Sequence, residues 1–322
     1  MRRHLLTLRA LERPQIEALL DAAQAYADDG GRSRPALAGR PVATLFYEPS
    51  TRTEMSFELA AARLGAVVLR CDVDHSSVRK GESLVDTART FEALGAEVLV
   101  IRHPASGAPA LASRHVEASV INAGDGMHEH PTQGLLDLLT VRQIKGRLEG
   151  LRVAIVGDVL HSRVARSAAW GFTKLGARVI LTGPATLLPS ASPVPGAGMT
   201  SSLDEALEGA DVVMTLRMQM ERQAGGFVPS LAEYARGFGI TDAALARARS
   251  DAILMHPGPA NLGVEVSLDA AYGARSVISR QVENGVFIRM AALEWVVGRM
   301  ETRRPSTVER HKALDDMAQV AG

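Results

Sequence analysis

The chain has 322 residues, with 36 Lys and Arg balancing 36 Asp and Glu, 46% hydrophobic and 22% charged residues, and one cysteine. That length accommodates two α/β domains with a core in each, and the balance is that of an ordinary globular protein. Zero net charge argues against a nucleic-acid or anionic-membrane surface, and a lone Cys71 excludes an intrachain disulfide and is expected to be a buried, inert thiol.

No long apolar run follows the first six residues, so no signal peptide is expected, and no stretch reaches membrane-spanning length. The expectation is a soluble cytoplasmic protein. Apolar runs at 42–46, 98–101, 119–121, 153–156, 179–181, 212–216 and 252–255 read as short buried strands. Segments of helical period, such as 54–64 and 162–175, lie between them, with Gly65 and Gly176 where a helix C-terminal glycine belongs. This alternation predicts an α/β protein of two domains, each a mainly parallel sheet flanked by helices with right-handed crossovers. The stretch 184–198, rich in Pro, Ser, Ala and Gly, reads as a loop. A fresh strand after the long helical pattern places the domain junction at 143–151, dividing 1–146 from 147–285. The last helix, 286–299, is amphipathic and could pack on either domain.

Polar residues cluster just after the strands: Arg102 and His103, then Asp158, then Arg217 and Gln219, then His256. Open parallel sheets bind ligands outside the carboxyl ends of their strands, so this pattern favours a cleft enzyme over a structural protein.

Glu48-Pro49-Ser50-Thr51-Arg52-Thr53 lies between a strand and a helix start. Free N–H groups and the dipole at a helix N-terminus attract anions. Three hydroxyls and an arginine exceed what a helix cap needs, so this loop reads as a phosphate cradle built without glycines. In His128-Glu129-His130-Pro131-Thr132-Gln133, Pro131 suits the first helical position and sets His130 beside the N-terminus. No third ligand stands at metal-binding spacing, and a neutral His130 donating to a carbonyl oxygen fits better. Val156-Gly157-Asp158 resembles the start of a dinucleotide site but lacks its glycine fingerprint, which disfavours a nicotinamide oxidoreductase. His161-Ser162-Arg163 offers a further anion-binding helix end or a solvated capping turn. In Arg217-Met218-Gln219-Met220-Glu221-Arg222, an extended backbone would point alternate residues the same way, and arginine suits a carboxylate; a salt-bridged surface turn fits equally well. Ser76–Glu82 by itself reads as a solvated turn. His256-Pro257-Gly258-Pro259 reads as a rigid loop able to aim a carbonyl oxygen at a ligand N–H, or as a stiff connector.

In order, and over almost the whole chain, these motifs resemble the carbamoyltransferase family. Residues 46–53 look like its carbamoyl phosphate loop and 76–82 like its mobile loop that reaches the adjacent subunit's site. Arg102-His103-Pro104, His130-Pro131-Thr132-Gln133 and His256-Pro257-Gly258-Pro259 match further family motifs. Arg217-x-Gln219-x-Glu221-Arg222 matches the aspartate-type signature, and the Asp-x-Trp-x-Ser-Met and His-Cys-Leu-Pro motifs of the ornithine type do not occur. The resemblance implies transfer of a carbamoyl group from carbamoyl phosphate to L-aspartate in pyrimidine biosynthesis, without cofactor or metal. By that resemblance Ser50, Thr51, Arg52, Thr53 and Arg102 hold the phosphate, with Ser76 and Lys80 from a neighbouring chain. Thr53, Arg102 and His130 hold the carbonyl oxygen, while Gln133 and the loop at Gly258 and Pro259 orient the carbamoyl NH2. Arg163, Arg217, Gln219 and Lys80 take the aspartate carboxylates, and Glu48 pairs with arginines on domain closure. The first domain would bind carbamoyl phosphate, completed by a C-terminal helix at about 286–318, and the second would bind aspartate. A homotrimer with shared sites is implied, with room for a regulatory chain or a dihydroorotase as partner. Leu262 departs from the arginine usual after the loop's Asn261, which touches an ion pair of that loop and none of the residues assigned to chemistry. Transfer to another amine, such as ornithine or an N-acylated amino acid, and a catalytically silent scaffold are the rival readings.

Overall fold

The computed structural model describes residues 3–73, 80–218, 228 and 230–298. After helix α1 (Arg13–Asp28), the first half alternates β1 (Pro41–Phe46), α2 (Thr51–Arg63), β2 (Val67–Cys71), α3 (Leu84–Ala93), β3 (Val98–His103), α4 (Ala108–Ser113), β4 (Ser119–Asp125) and α5 (Pro131–Lys145). The second continues with β5 (Arg152–Val156), α6 (Arg163–Lys174), β6 (Arg178–Thr182), β7 (Gly198–Thr200), α7 (Leu203–Leu207), β8 (Val212–Thr215), α8 (Leu231–Phe238), α9 (Asp242–Leu245), β9 (Ile253–Met255), α10 (Leu268–Tyr272) and α11 (Ile278–Val296). The strands form two sheets, ordered β2-β1-β3-β4 and β7-β6-β5-β8-β9. Every pairing between two of these described strands is parallel. Such strands are covered on both faces, which is why their sequences run apolar without alternation.

Each sheet winds outward from a central strand and then reverses, between β1 and β3 in one and between β5 and β8 in the other. Ligands bind at such reversal points. Glu48 and Arg102 flank the first, Asp158 and Arg217 the second.

Three elements differ from expectation. Strand β2 lies at a sheet edge with Val67 and Arg70 exposed, so its pattern is too polar to read as a buried run. Strand β7, also at an edge, spans three residues where the predicted loop ends. Helix α11 begins at Ile278 rather than 286 because its first turns bury polar side chains, Gln281 and Asn284, instead of an apolar stripe. The part of the expected helix beyond 298 lies outside the described residues.

One apolar core runs through both halves, joining Leu5, Leu8 and Ile16 to Leu138, Phe172 and Ile288. Burying each such side chain contributes about 1.5–3 kcal/mol. Helices α5 and α6 approach closely because glycine sits at the contact: a Cβ on Gly171 would fall 2.7 Å from Leu138 Cδ1. Helix α11 returns from the second half to pack on α1, α2 and α5. No described helix is long and apolar enough to cross a membrane.

Candidate active site

Helix α2 starts at Thr51, with Ser50 as its N-cap residue. The Ser50 hydroxyl donates to Thr53 Oγ1 at 3.0 Å rather than capping the helix, so no side-chain cap occupies the first-turn amides. Thr53 is buried and Arg52 is exposed. Gly258, at φ +63°, allows the Arg52 guanidinium to lie flat against it; a Cβ there would stand 2.8 Å from Arg52 Cζ. Partial burial, then the charge of Arg217, hold Arg52 below the usual arginine range. The phosphate loop, the loop 256–259 and Arg217 therefore converge, although they come from opposite halves of the chain. The Gly258–Pro259 peptide is cis.

Glu48 bridges the halves. Its Oε1 accepts from Arg102 Nη2 at 3.0 Å and Arg163 Nη2 at 2.8 Å, and its Oε2 from Arg163 Nη1 at 3.0 Å. Arg102 also donates to the Ala123 carbonyl at 3.2 Å and Arg163 to the Gly126 carbonyl at 3.2 Å. A Cβ on Gly124, at φ +114°, would fall 3.0 Å from both Arg102 Nη1 and Arg163 Nε, so glycine there makes room for both guanidinium groups. Arg163 opens α6 beside its cap Ser162, whose hydroxyl accepts from Ala165 N. Next to it His161 Nδ1 contacts Asp158 Oδ1 at 2.9 Å.

His130 is the residue before Pro131, the first residue of α5, and its backbone N–H donates to Ser167 Oγ at 2.9 Å. Its side chain is buried, and Nδ1 has no hydrogen-bond partner among the described residues. Burial, then Arg102, Arg289 and Arg163, hold its pKa well below the ordinary histidine value, so the ring is neutral at physiological pH. His128 instead meets Asp125 Oδ2 at 3.0 Å, and the two histidines part ways. Gln133, in the first turn of α5, is buried with its Nε2 on Asp137 Oδ1 at 3.0 Å.

Loop 256–259 is held from behind. His256 Nδ1 accepts from Gly258 N at 2.8 Å, which leaves the proton on Nε2 to face Glu265 Oε1 at 3.3 Å. Glu265 Oε1 also accepts from Asn261 N at 2.6 Å. These bonds brace the loop without Leu262, which is exposed.

Lys80 is exposed; Ser76 and Gln219 lie outside the described residues. Sequence reasoning missed Asp137, Gln281 and Arg289, all buried behind the cleft. Arg289 lies over the Phe57 ring at 5.1 Å, in space left by Gly285. The available signal was a charge inside an apolar run: Asp137 between two leucine pairs, and Arg289 between Ile288 and Met290. A surface hollow of about 570 Å3 lined by Asp204, Glu205, Glu208 and Arg247 is remote in character: Arg247 there pairs with Asp204 in solvent, and none of its lining charges is buried.

A cleft rich in cations with a neutral buried imidazole can bind small anions and donate to a carbonyl oxygen. Residues 3–143 match the domain described as aspartate/ornithine carbamoyltransferase, carbamoyl-P binding domain, and residues 149–296 the Asp/Orn binding domain of that family. The chain is 57% identical over 298 residues to an aspartate carbamoyltransferase catalytic subunit of Sorangium cellulosum, covering 92% of each chain. It is also 57% identical over 298 residues to that of Gluconobacter oxydans, covering 91% of this chain and 95% of the relative. Among solved structures it resembles aspartate transcarbamoylase from Trypanosoma cruzi in complex with carbamoyl phosphate, with TM-score 0.81 and 32% identity over 90% of this chain and 95% of that one. Ornithine carbamoyltransferase from Pyrococcus furiosus superposes with TM-score 0.82 at 28% identity, covering 92% and 97%. With both halves matched in order and along nearly their full length, the chain belongs to the aspartate/ornithine carbamoyltransferase family.

Proposed function

We propose that the protein transfers the carbamoyl group of carbamoyl phosphate to the amine of L-aspartate, giving N-carbamoyl-L-aspartate and phosphate. The observation that carries this reading is the meeting of Arg52 with Arg217 and Gly258, which gathers two anion-binding ends into one cleft. The Arg-x-Gln-x-Glu-Arg run that starts at Arg217 favours aspartate over ornithine, since guanidinium groups suit a dicarboxylate.

In this reading residues 1–146 bind carbamoyl phosphate and 147–285 bind aspartate. Ser50, Thr51, Arg52, Thr53 and Arg102 hold the phosphate, and Arg163, Arg217 and Gln219 the aspartate carboxylates. The amine attacks the carbonyl carbon, and the carbonyl oxygen becomes an oxyanion held by Thr53, Arg102 and His130. Gln133 and the Gly258 carbonyl orient the carbamoyl NH2. The bond from carbon to the phosphate oxygen then breaks, and the departing phosphate takes the amine proton. Positioning and electrostatic stabilisation do the work. Glu48, which pairs with both Arg102 and Arg163, is the residue that links the two halves when they close on the substrates.

Ser76 and Lys80 act in a neighbouring subunit's site, which requires an oligomer, by resemblance a cytoplasmic homotrimer serving pyrimidine biosynthesis. Exposed Met55 and Leu59 on α2 and Val67 on β2 supply an apolar face suited to subunit contact. A product assay with carbamoyl phosphate plus aspartate or ornithine tests the reaction: carbamoyl aspartate is expected, and exclusive use of ornithine would refute it. Mixing Lys80→Ala with His130→Ala subunits tests site sharing. Recovered activity is expected, and none with subunit exchange confirmed would mean self-contained sites.

A further inference from the structure

Behind the cleft, α5 and α11 enclose a layer of polar side chains that the proposed chemistry does not itself require. At its centre Asp137 is fully buried. Its Oδ1 accepts two hydrogen bonds, from Gln133 Nε2 at 3.0 Å and from Gln281 Nε2 at 2.8 Å. Gln281 Oε1 in turn accepts from the His256 backbone N–H at 3.0 Å.

With Asp137 ionised, the donor and acceptor roles in this chain admit one solution. A backbone N–H can only donate, so Gln281 turns its oxygen to His256 and its NH2 to Asp137. Asp137 Oδ1 must then be an acceptor. An accepting oxygen draws the NH2 of Gln133 and leaves Gln133 Oε1 on the opposite side of its amide. A carbamoyl NH2 has protons to give and needs an acceptor. Gln133 with its amide reversed would offer the substrate two donors instead.

We propose that Asp137 is a positioning residue that fixes the Gln133 amide with its oxygen toward the carbamoyl NH2, and that through Gln281 it ties that amide to loop 256–259 from the other half of the chain. One carboxylate oxygen thereby aligns the two acceptors assigned to the carbamoyl NH2, Gln133 Oε1 and the Gly258 carbonyl. Burial pushes the Asp137 carboxyl up to about 7, while both glutamine donors and the nearby Arg289 favour the carboxylate. The inference rests on the reading that carbamoyl phosphate occupies this cleft.

The test is a double-mutant cycle on the intact enzyme, varying carbamoyl phosphate at saturating aspartate. Asp137→Leu is expected to lower kcat/KM for carbamoyl phosphate about 100-fold in the parent, and no more than about threefold in a Gln133→Ala background. Asp137→Asn, which keeps an acceptor oxygen, should recover activity to within about tenfold of the parent. Equal losses in the two backgrounds, or Asn as damaging as Leu, would overturn the inference and leave Asp137 a purely structural residue. Should Asp137→Leu not fold, Asp137→Ser takes its place under the same criterion. An inactive parent chain would overturn the proposed function and this inference together, whereas additive losses in an active parent overturn the inference alone.

Discussion

On the cleft side, Glu48 receives the guanidinium groups of Arg102 and Arg163, while Arg52 bears the repulsion of Arg217. Behind α5, by contrast, donors meet acceptors within the protein: Gln281 and Gln133 on Asp137, and Asn284 Nδ2 on Thr140 Oγ1 and Gln143 Oε1, both at 2.9 Å. Both sets are polar and both lie near the same helix. The first concentrates like charge, which costs stability and is offset when an anion arrives. The second pairs its amide donors with acceptors inside the protein and gives the first a fixed frame. Ligand binding lies in the first layer, and the second, only a helix apart, supports it, with Gln133 and Asp137 linking the two.

Mutations on either side can break this contrast. The largest effect is expected from Arg52→Ala, which removes a phosphate contact and relieves repulsion from Arg217. Activity should fall about 1,000-fold while Tm, followed by calorimetry, does not fall. A clear loss of Tm would place Arg52 in the structural layer. His130→Ala should lower kcat roughly 100- to 1,000-fold through loss of an oxyanion donor, and unchanged turnover would remove His130 from the mechanism. On the other side, Asn284→Ala should cost about 1–3 kcal/mol of stability by denaturant unfolding, with kcat retained. A large loss of kcat in folded protein would erase the distinction.

The smallest effect is a pH dependence. His130 has a folded pKa well below its unfolded value, so its contribution is present above about 6.5 and is lost as pH falls toward the folded pKa. The parent should therefore lose up to about 1.4 kcal/mol more per pH unit below 6.5 than His130→Asn does. Parallel stability curves for the two proteins would show that His130 is not held neutral by its surroundings.

Several features of the site were legible because they are local. A serine-threonine-arginine run between a strand and a helix reads as an anion-binding loop from its local chemistry, and Pro131 set His130 at the start of α5. Asp137, Gln281 and Asn284 were not legible. Buried polar residues break the apolar period from which helix positions are read, so the apolar pattern of α11 starts at 286 although the helix starts at Ile278. Strand β2 carries no apolar run for the opposite reason, since an edge position leaves Val67 and Arg70 in solvent.

By itself the amino-acid order determined the alternation of strands and helices and the parallel character of the sheets. These follow from residue spacing, helix-end amides and chain stiffness within a few residues. Tertiary structure alone decided which groups meet: Glu48 with Arg163, 115 residues apart, Asp137 with Gln281, 144 apart, and Arg52 with Gly258. A buried donor bonds whichever acceptor the packing brings within about 3 Å. That choice depends on how α5, α6 and α11 pack across the two halves, which no local pattern encodes.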